Sequence, residues 1–149
     1  MEVKGEELVS ILRDKIKLYE HLGIEVIEIS AQKVHFKVAL EKNLNHKGTA
    51  FGGSLYASAV LAAYALVLAG LREHRLTTEN IVIAKGEISY LLPVETDFEI
   101  LTQFDSKEAA QDFFTKLQSE GRVRKVVKSE VRVAGSLKAV LKGTFVVRI

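Results

Sequence analysis

The sequence predicts an α+β fold in which an antiparallel sheet curls around one long buried helix. Residues 51–71 carry no charge, which is typical of a helix covered by protein on every side. Several later segments alternate apolar and polar residues in the manner of half-buried strands, and such strands need an apolar partner. A length of 149 residues suits one domain with a sizeable core, so we expect a single domain over residues 1–149.

The first half of the chain is predicted to supply an amphipathic helix, two strands and the buried helix. The amphipathic helix covers Glu6–Leu22, and Gly23 suits its end. Strands are predicted at Ile24–Ile29 and Lys33–Leu40, the second of which alternates regularly. The apolar face of the first helix consists of Leu8, Ile11, Leu12, Ile16 and Tyr19.

The second half is predicted to complete the sheet with four strands and one short helix. Ser106 can cap this helix, which runs through Gln118 and ends at Gly121. A turn at Pro93 separates the first two of these strands, and Gly135–Ser136 turns the closing hairpin. The strands are Asn80–Leu92, Thr96–Phe104, Arg122–Val133 and Leu137–Ile149.

Composition excludes several classes of function. The net charge is +2 with both signs interspersed, which argues against a dedicated nucleic-acid binder. The chain has no cysteine, and its four histidines lack metal-ligand spacing, so neither a disulfide framework nor a metal site is predicted. The N-terminus has no apolar signal region, and serine and tyrosine dilute the apolar segment 51–71. We therefore expect a cytoplasmic protein that does not cross a membrane and needs no cofactor.

The stretch with the most chemical information is Asn-Leu-Asn-His-Lys-Gly-Thr-Ala-Phe-Gly-Gly-Ser, residues 43–54, which leads straight into the apolar helix. A glycine pair at a helix start lets a ligand approach the backbone. The first N–H groups of a helix have no intrahelical partner and lie at the positive end of its dipole. Such a site can bind a carboxylate or stabilise an oxyanion, although the glycines could also serve only to bend the loop.

This stretch and the order of elements together resemble a known family. The order of elements looks like that of the hotdog fold of acyl-thioester enzymes, which has a helix, two strands, a long buried helix and then four strands. The string from Asn43 to Leu55 is similar to the signature of the YiiD C-terminal type, a hotdog family often labelled as thioesterases, which includes malonyl-acyl-carrier-protein decarboxylases. The resemblance covers the whole chain and implies a homodimer or larger homo-oligomer. Because nothing precedes the first helix, we expect the free-standing form.

The chain departs from ordinary hotdog thioesterases at two positions. Their loop resembles Asn…Gly-x-x-His-Gly-Gly, followed on the helix by an Asp or Glu that serves as base or nucleophile. Here Phe51 occupies the histidine position, Val60 lies near the carboxylate position, and no acidic residue occurs between Asn45 and Arg72. Hydrolysis needs an activated water or a nucleophile. Loss of carbon dioxide from a malonyl thioester needs no base in its first step.

The favoured hypothesis is therefore decarboxylation of malonyl-acyl-carrier-protein to acetyl-acyl-carrier-protein, which would prime fatty acid synthesis. Asn45 is the predicted catalytic residue, and it would hold the carboxylate or polarise the carbonyl. The alternatives are a thioesterase that takes its base from elsewhere, such as Glu87 or a second subunit, and a non-catalytic module that binds acyl thioesters. The predicted substrate-binding residues are Thr49, Phe51, Gly52, Gly53 and Ser54.

Basic residues near the end of the chain suggest how a carrier would bind. Arg122, Arg124, Lys125 and Lys128 form the densest basic group in the sequence. Such a group usually belongs to a solvated strand face, but it could also dock an acidic acyl carrier protein. The sequence alone leaves the carrier protein and coenzyme A as alternative thiol carriers.

Overall fold

The computed structural model describes residues 3–149. Three α-helices and six strands follow one another in the order α1, β1, β2, α2, β3, β4, α3, β5, β6. The helices are α1 Val3–Lys15, α2 Gly52–Glu73 and α3 Lys107–Glu120. The strands are β1 Ile24–Ile29, β2 Val34–Val38, β3 Ile81–Tyr90, β4 Phe98–Gln103, β5 Arg122–Val133 and β6 Ser136–Arg148.

The six strands form one antiparallel sheet in the spatial order β1-β2-β4-β5-β6-β3. The predicted fold class is confirmed, because α2 packs against all six strands as the central helix. Strands β1 and β3 lie at the two edges, so within residues 3–149 the outer side of β3 is a free row of backbone groups. A β-bulge between Ile83 and Lys85 interrupts the pairing of β3 with β6.

Helix α2 is apolar because protein covers most of it. It is long and apolar enough to cross a bilayer, yet 67% of its most apolar window is buried in the protein. Alanines at positions 59, 62 and 63 are fully buried, which lets the strands approach the helix axis closely. Only one face of α2 remains half exposed, and it is formed by Tyr56, Val60, Tyr64 and Leu68 at four-residue spacing.

Several predicted boundaries were wrong, most clearly that of the first helix. The helix does not run through Leu22: α1 ends at Lys15, Ile16 adopts an extended backbone, and a 3₁₀ turn covers Lys17–His21. The break redirects the chain so that Tyr19 and Leu22 are buried in the core. An apolar periodicity that continues through a change of backbone direction cannot reveal this break.

The remaining corrections concern turns and strand ends. The second strand ends at Val38 rather than at Leu40, where a 3₁₀ turn begins. The closing hairpin turns at Ala134–Gly135 rather than at Gly135–Ser136, and both turn residues have positive φ (48° and 80°), as a type I′ turn requires. The predicted ends of α3 are right in kind: Ser106 accepts a hydrogen bond from Ala109 N, and Gly121 is left-handed.

Candidate active site

The loop before α2 is closed by backbone and side-chain hydrogen bonds. Asn43 is buried, and its Nδ2 donates to Leu22 O and Ala39 O, both at 2.8 Å. The N–H of Phe51 donates to Asn43 O at 2.7 Å, so the chain returns to the point where the loop began. Ala50 N–H donates to Val94 O, which joins the loop to the segment after β3. These contacts fix the position at which α2 starts.

Asn45 organises the interior of the same loop. Its Oδ1 accepts from Lys47 N at 2.9 Å and from Thr49 N at 3.0 Å. Its Nδ2 donates to Thr49 Oγ1 at 2.8 Å and, over a long 3.4 Å, to Ala50 O. Every donor and acceptor of the amide is therefore engaged within the loop. In this structure the predicted catalytic residue and Thr49 hold each other, and only the weak bond to Ala50 O leaves Nδ2 room to turn to a ligand.

The first turn of α2 presents two unpaired backbone donors. Ser54 N–H donates to Phe51 O at 2.9 Å, so this N–H group is already paired in the structure. The N–H groups of Gly52 and Gly53 have no hydrogen-bond partner within residues 3–149. They are adjacent and lie at the positive end of the dipole of a 22-residue helix. Together they form a place where an oxyanion or a carbonyl oxygen can accept two hydrogen bonds.

Two aromatic side chains flank these donors. Tyr90 OH donates to Gly52 O at 2.8 Å, so the tyrosine lies against the first residue of the helix. A Cβ atom built on Gly53 would lie 2.6 Å from Cε2 of Phe51, which shows that the Phe51 ring lies across Gly53. Phe51 is 57% exposed and Tyr90 is 52% exposed. A side chain at either glycine would displace the aromatic ring that now lies against it.

Tyr90 on β3 is not among the site residues predicted from the sequence, yet its hydroxyl contacts the start of α2. Its partner at the site is Tyr56, one turn into α2, whose hydroxyl lies against the backbone of Gly86. Burial raises the pKa of Tyr90 above its usual value, and the nearby Tyr56 raises it further. The Tyr90 phenol is neutral at physiological pH, as an ordinary tyrosine is, so it can donate to Gly52 O.

Helix α2 has no acidic residue near its start. Glu87 projects from the outer face of β3, opposite Lys142, whereas Gly86 and Tyr90 face the helix. A hydrogen bond from Lys85 at 2.9 Å, together with its charge, lowers the pKa of Glu87. A carboxylate with this position and pKa is a poor base for the helix start of its own chain. Glu95 is an acidic residue close to the loop, because it follows Val94, whose carbonyl oxygen accepts a hydrogen bond from Ala50 N–H.

An apolar groove runs along the uncovered face of α2, beginning one turn after the glycine pair. Its volume is about 380 Å³. A second cavity of about 680 Å³ near the other end of the helix shares Ile16, Tyr64 and Ile81 with it. The groove lies between α2 and β3 and is lined chiefly by Tyr56, Val60, Tyr64, Ile81, Ile83 and Phe145.

The predicted basic group divides between the two faces of the sheet. Arg122, Arg124 and Lys128 lie on the outer face, whereas Lys125 is on the inner face, between the buried Val123 and Val127. Sequence reasoning missed Arg148, which pairs directly with Arg122 across β5 and β6. Cross-strand register was the missing signal, because 26 residues separate these two arginines in the chain. Residues 3–149 contain no group of three His, Cys, Asp or Glu side chains that could hold a metal ion.

Comparison with solved structures agrees with the fold. A structure from Shewanella oneidensis described as a "putative thioesterase" superposes with a TM-score of 0.87 at 21% identity and covers 100% of both chains. A Chlorobaculum tepidum protein gives 0.86 at 22% identity, covering 97% of this chain and 94% of its own. A Pseudomonas aeruginosa protein described as a "probable thioesterase" gives 0.81 at 17% identity, covering 99% and 97%. A search of curated proteins gave no match.

These likenesses, at identities below 25%, show the hotdog fold. The family follows from a separate comparison, in which a family model described as "Putative thioesterase (yiiD_Cterm)" matches residues 5–149. The match spans the closed loop, the glycine pair and every strand. The chain therefore belongs to the YiiD C-terminal family of thioesterase-like hotdog proteins.

Proposed function

We propose that this protein is an enzyme of acyl thioesters that binds the thioester carbonyl at the start of α2. The single observation that carries the proposal is the pair of free N–H groups at Gly52 and Gly53. A thioester oxygen that gains negative charge in the transition state would accept both hydrogen bonds. One well-placed donor of this kind contributes roughly 3–4 kcal/mol to transition-state stabilisation. Phe51 and Tyr90 would shield the oxygen from water.

Thioester hydrolysis is the reaction that the family description favours. A water oxygen would form a bond to the carbonyl carbon, the C–S bond would break, and the sulfur would take up a proton. The water must lose a proton, and α2 has no carboxylate before its last residue, Glu73, to accept it. A base for hydrolysis must therefore come from another segment, such as Glu95, or from a second copy of the chain.

Decarboxylation of a malonyl thioester is the second candidate, and the absence of acidic residues between Asn45 and Arg72 favours it. The bond between the carboxylate carbon and the methylene carbon would break, and its electrons would pass to the thioester oxygen as an enolate. The enolate carbon would then take a proton to give the acetyl thioester. The first step needs oxyanion stabilisation and an apolar setting for the carboxylate, and the helix start offers both.

We also propose that the working unit is a homodimer joined along β3. The free edge of β3 and the apolar groove beside it would both be covered by a second copy. If the two β3 strands pair antiparallel in one continuous sheet, the two-fold axis is perpendicular to the sheet and lies midway between the two copies of one residue. The choice of that residue defines the register of the pairing. A register centred on Gly86 sets Lys85 opposite the partner's Glu87 twice. Centring the register on Lys85 or Glu87 would set like charges opposite each other instead.

Carrier chemistry and location complete the proposal. An acyl carrier protein and coenzyme A present the same kind of thioester, and we propose the carrier protein as the partner because exposed basic residues line one end of the sheet. We propose a cytoplasmic location, where such carriers act. With a malonyl carrier as substrate, the reaction would prime fatty acid synthesis.

Product analysis tests the function directly. The protein is incubated separately with acetyl-, malonyl- and longer acyl-carrier protein and with the matching coenzyme A thioesters, and products are identified by mass spectrometry. Free thiol from the acyl substrates identifies a thioesterase, and acetyl thioester from the malonyl substrates identifies a decarboxylase. Unchanged thioester that nevertheless binds supports a binding module and would overturn the enzymatic proposal. For hydrolysis, Glu95→Gln tests whether this carboxylate serves as the base.

Gly53→Val is expected to lower kcat/KM by about a hundredfold, the scale of losing one oxyanion donor. The branched side chain would displace the Phe51 ring and block the approach of a thioester to the two N–H groups. Phe51→Ala and the Phe51→Ala, Gly53→Val double variant are the controls. If the double variant is no slower than Phe51→Ala, the valine acts only by moving the ring, and the proposed carbonyl position is wrong.

Asn45→Ala is expected to lower turnover by about a hundredfold, since the loop that positions α2 would lose its central amide. Asn45→Asp separates the two roles of the side chain. The carboxylate can still accept from Lys47 N and Thr49 N but cannot donate as Nδ2 does. If Nδ2 acts directly on the substrate, Asn45→Asp should turn over as slowly as Asn45→Ala. If Asn45→Asp is nearly as active as wild type, Asn45 serves only to hold the loop. Circular dichroism melts check that each variant folds.

Charge reversal on β3 tests the dimer and its register. Lys85→Glu and Glu87→Lys should each raise the dimer dissociation constant by about tenfold or more, because each sets like charges opposite twice. An equimolar mixture of the two variants, and the double-reversal variant, should both recover the wild-type constant in sedimentation equilibrium. Unchanged dimerisation of the single variants would contradict the Gly86 register.

A further inference from the structure

Three arginines form an unpaired basic corner at one end of the outer sheet face. Arg122 on β5 lies directly opposite Arg148 on β6, and Arg124 lies two residues further along β5. None of the three has an acidic partner within 4 Å in residues 3–149. Together with Asn80, Val82 and Val146 they line a depression of about 460 Å³. We call these three residues the arginine corner.

The arginine corner differs from the rest of the outer face. Elsewhere on this face opposite charges adjoin each other: Glu99 binds His35 at 2.6 Å, and Lys142, which lies opposite Lys128 on β5, has Glu87 opposite it on β3. Like charges directly opposite on neighbouring strands are destabilising, so Arg122 beside Arg148 costs stability that a merely solvated face need not lose. Val146 is only 8% exposed although it points outward, since the depression that it shares is walled by arginine stems.

The arginine corner lies far along the sheet from the helix start of its own chain. The helix start lies near Tyr90, which pairs with Ala139, whereas the corner surrounds Val82, which pairs with Val146. Seven residues of β6 separate these two levels, or roughly 23 Å at the usual rise of about 3.3 Å per residue. Within one chain the arginines therefore lie at the opposite end of the sheet from the thioester site.

Antiparallel pairing of two β3 strands removes this separation. With Gly86 on the two-fold axis, the Tyr90 end of one β3 lies beside the Ile81 end of its partner. Measured along the sheet, the partner's Arg148 would then be two strand spacings from Tyr90 and the partner's Arg122 three, or roughly 10–14 Å. Because the arginines lie on the outer face and the helix start on the inner face, a bound carrier would have to reach the helix start around the end of the sheet. The basic corner nearest to each helix start would belong to the other copy.

We propose that the arginine corner of one copy docks an acidic acyl carrier protein whose thioester reacts at the helix start of the other copy. The proposal rests on the proposed function and deepens it by naming the partner surface. Complementary charge mainly accelerates encounter and is screened by salt. The proposal also changes the predicted basic group. Arg122 and Arg124 remain in it, Arg148 is added, and Lys125 is excluded because it lies on the opposite face of the sheet.

The first test measures kinetics with two substrates. Arg122→Glu with Arg148→Glu should raise KM for the acyl-carrier protein about tenfold at low salt, with a smaller rise at high salt and little change for the coenzyme A thioester. Lys107→Glu with Lys116→Glu, on the exposed surface of α3, makes the same change in net charge and should leave both KM values unaltered. Equal effects of the two charge reversals, or equal effects on the two substrates, would overturn the docking site.

Mixed dimers then decide whether the corner acts on its own site or on the partner's. One copy carries Gly53→Val and the other carries Arg122→Glu with Arg148→Glu, and two affinity tags isolate the mixed dimer. The only intact helix start then faces intact arginines across the interface, so about half of wild-type activity with the carrier substrate is expected. A wild-type copy paired with a copy carrying all three changes should instead show the raised KM.

The reverse pattern would show that each corner serves its own chain and would overturn the proposal. Failure to isolate any dimer would do the same, because the corner would then have no neighbouring helix start. Turnover of the coenzyme A thioester by wild type reports separately on the proposed function. If that turnover is present while arginine variants behave as wild type with the carrier, only the docking inference fails.

Discussion

Burial of α2 is the constraint on which the rest of the structure depends. A 22-residue apolar helix has to be covered, and a curled six-stranded sheet covers it only where small residues let the strands come close. The sheet can wrap the middle of the helix, but the first residues must remain at the rim, where their N–H groups cannot be paired by the helix itself. The candidate site is thus a consequence of packing. The Asn43–Phe51 loop fixes where that rim lies, and Gly52 and Gly53 keep it open.

One apolar face of the helix remains uncovered and one edge of the sheet remains unpaired, and the two adjoin each other. The half-exposed face with Tyr56, Val60 and Tyr64 borders β3, whose outer edge has no strand beside it in the described part of the chain. Gly86 lies in the middle of that edge with the Tyr56 hydroxyl against its backbone. Glycine in a strand often marks a close approach of another backbone. A second copy would satisfy the edge, the groove and the charge pattern around Gly86 at once, which is why the proposed site and the proposed interface cannot be considered apart.

The sequence determines the fold more fully than it determines the site. Uncharged residues through 51–71 and the alternation of later segments suffice to predict the central helix and the sheet, because both patterns reflect burial directly. The break at Ile16 was not predictable, since the apolar spacing continues through it. The role of Asn45 was only half predictable: its place in the loop follows from the motif, but four hydrogen bonds within that loop depend on backbone geometry. Pairing of Arg122 with Arg148 depends on strand register, which composition does not encode.

The lining of the groove bears on which thioester reaction this site can support. Val60 stands near the position where ordinary hotdog thioesterases carry their carboxylate, and here it is half buried beside tyrosine rings. A charged base at this point would lose hydration without a partner, so its pKa would rise. A malonyl carboxylate brought to the same surroundings would also lose hydration, but it relieves that cost by leaving as neutral carbon dioxide. In the proposed decarboxylation the negative charge would then move to the thioester oxygen beside Gly52 and Gly53, where two N–H donors are already in place. An apolar groove next to paired N–H groups therefore suits a reaction in which charge moves from the substrate's own carboxylate to the oxyanion site.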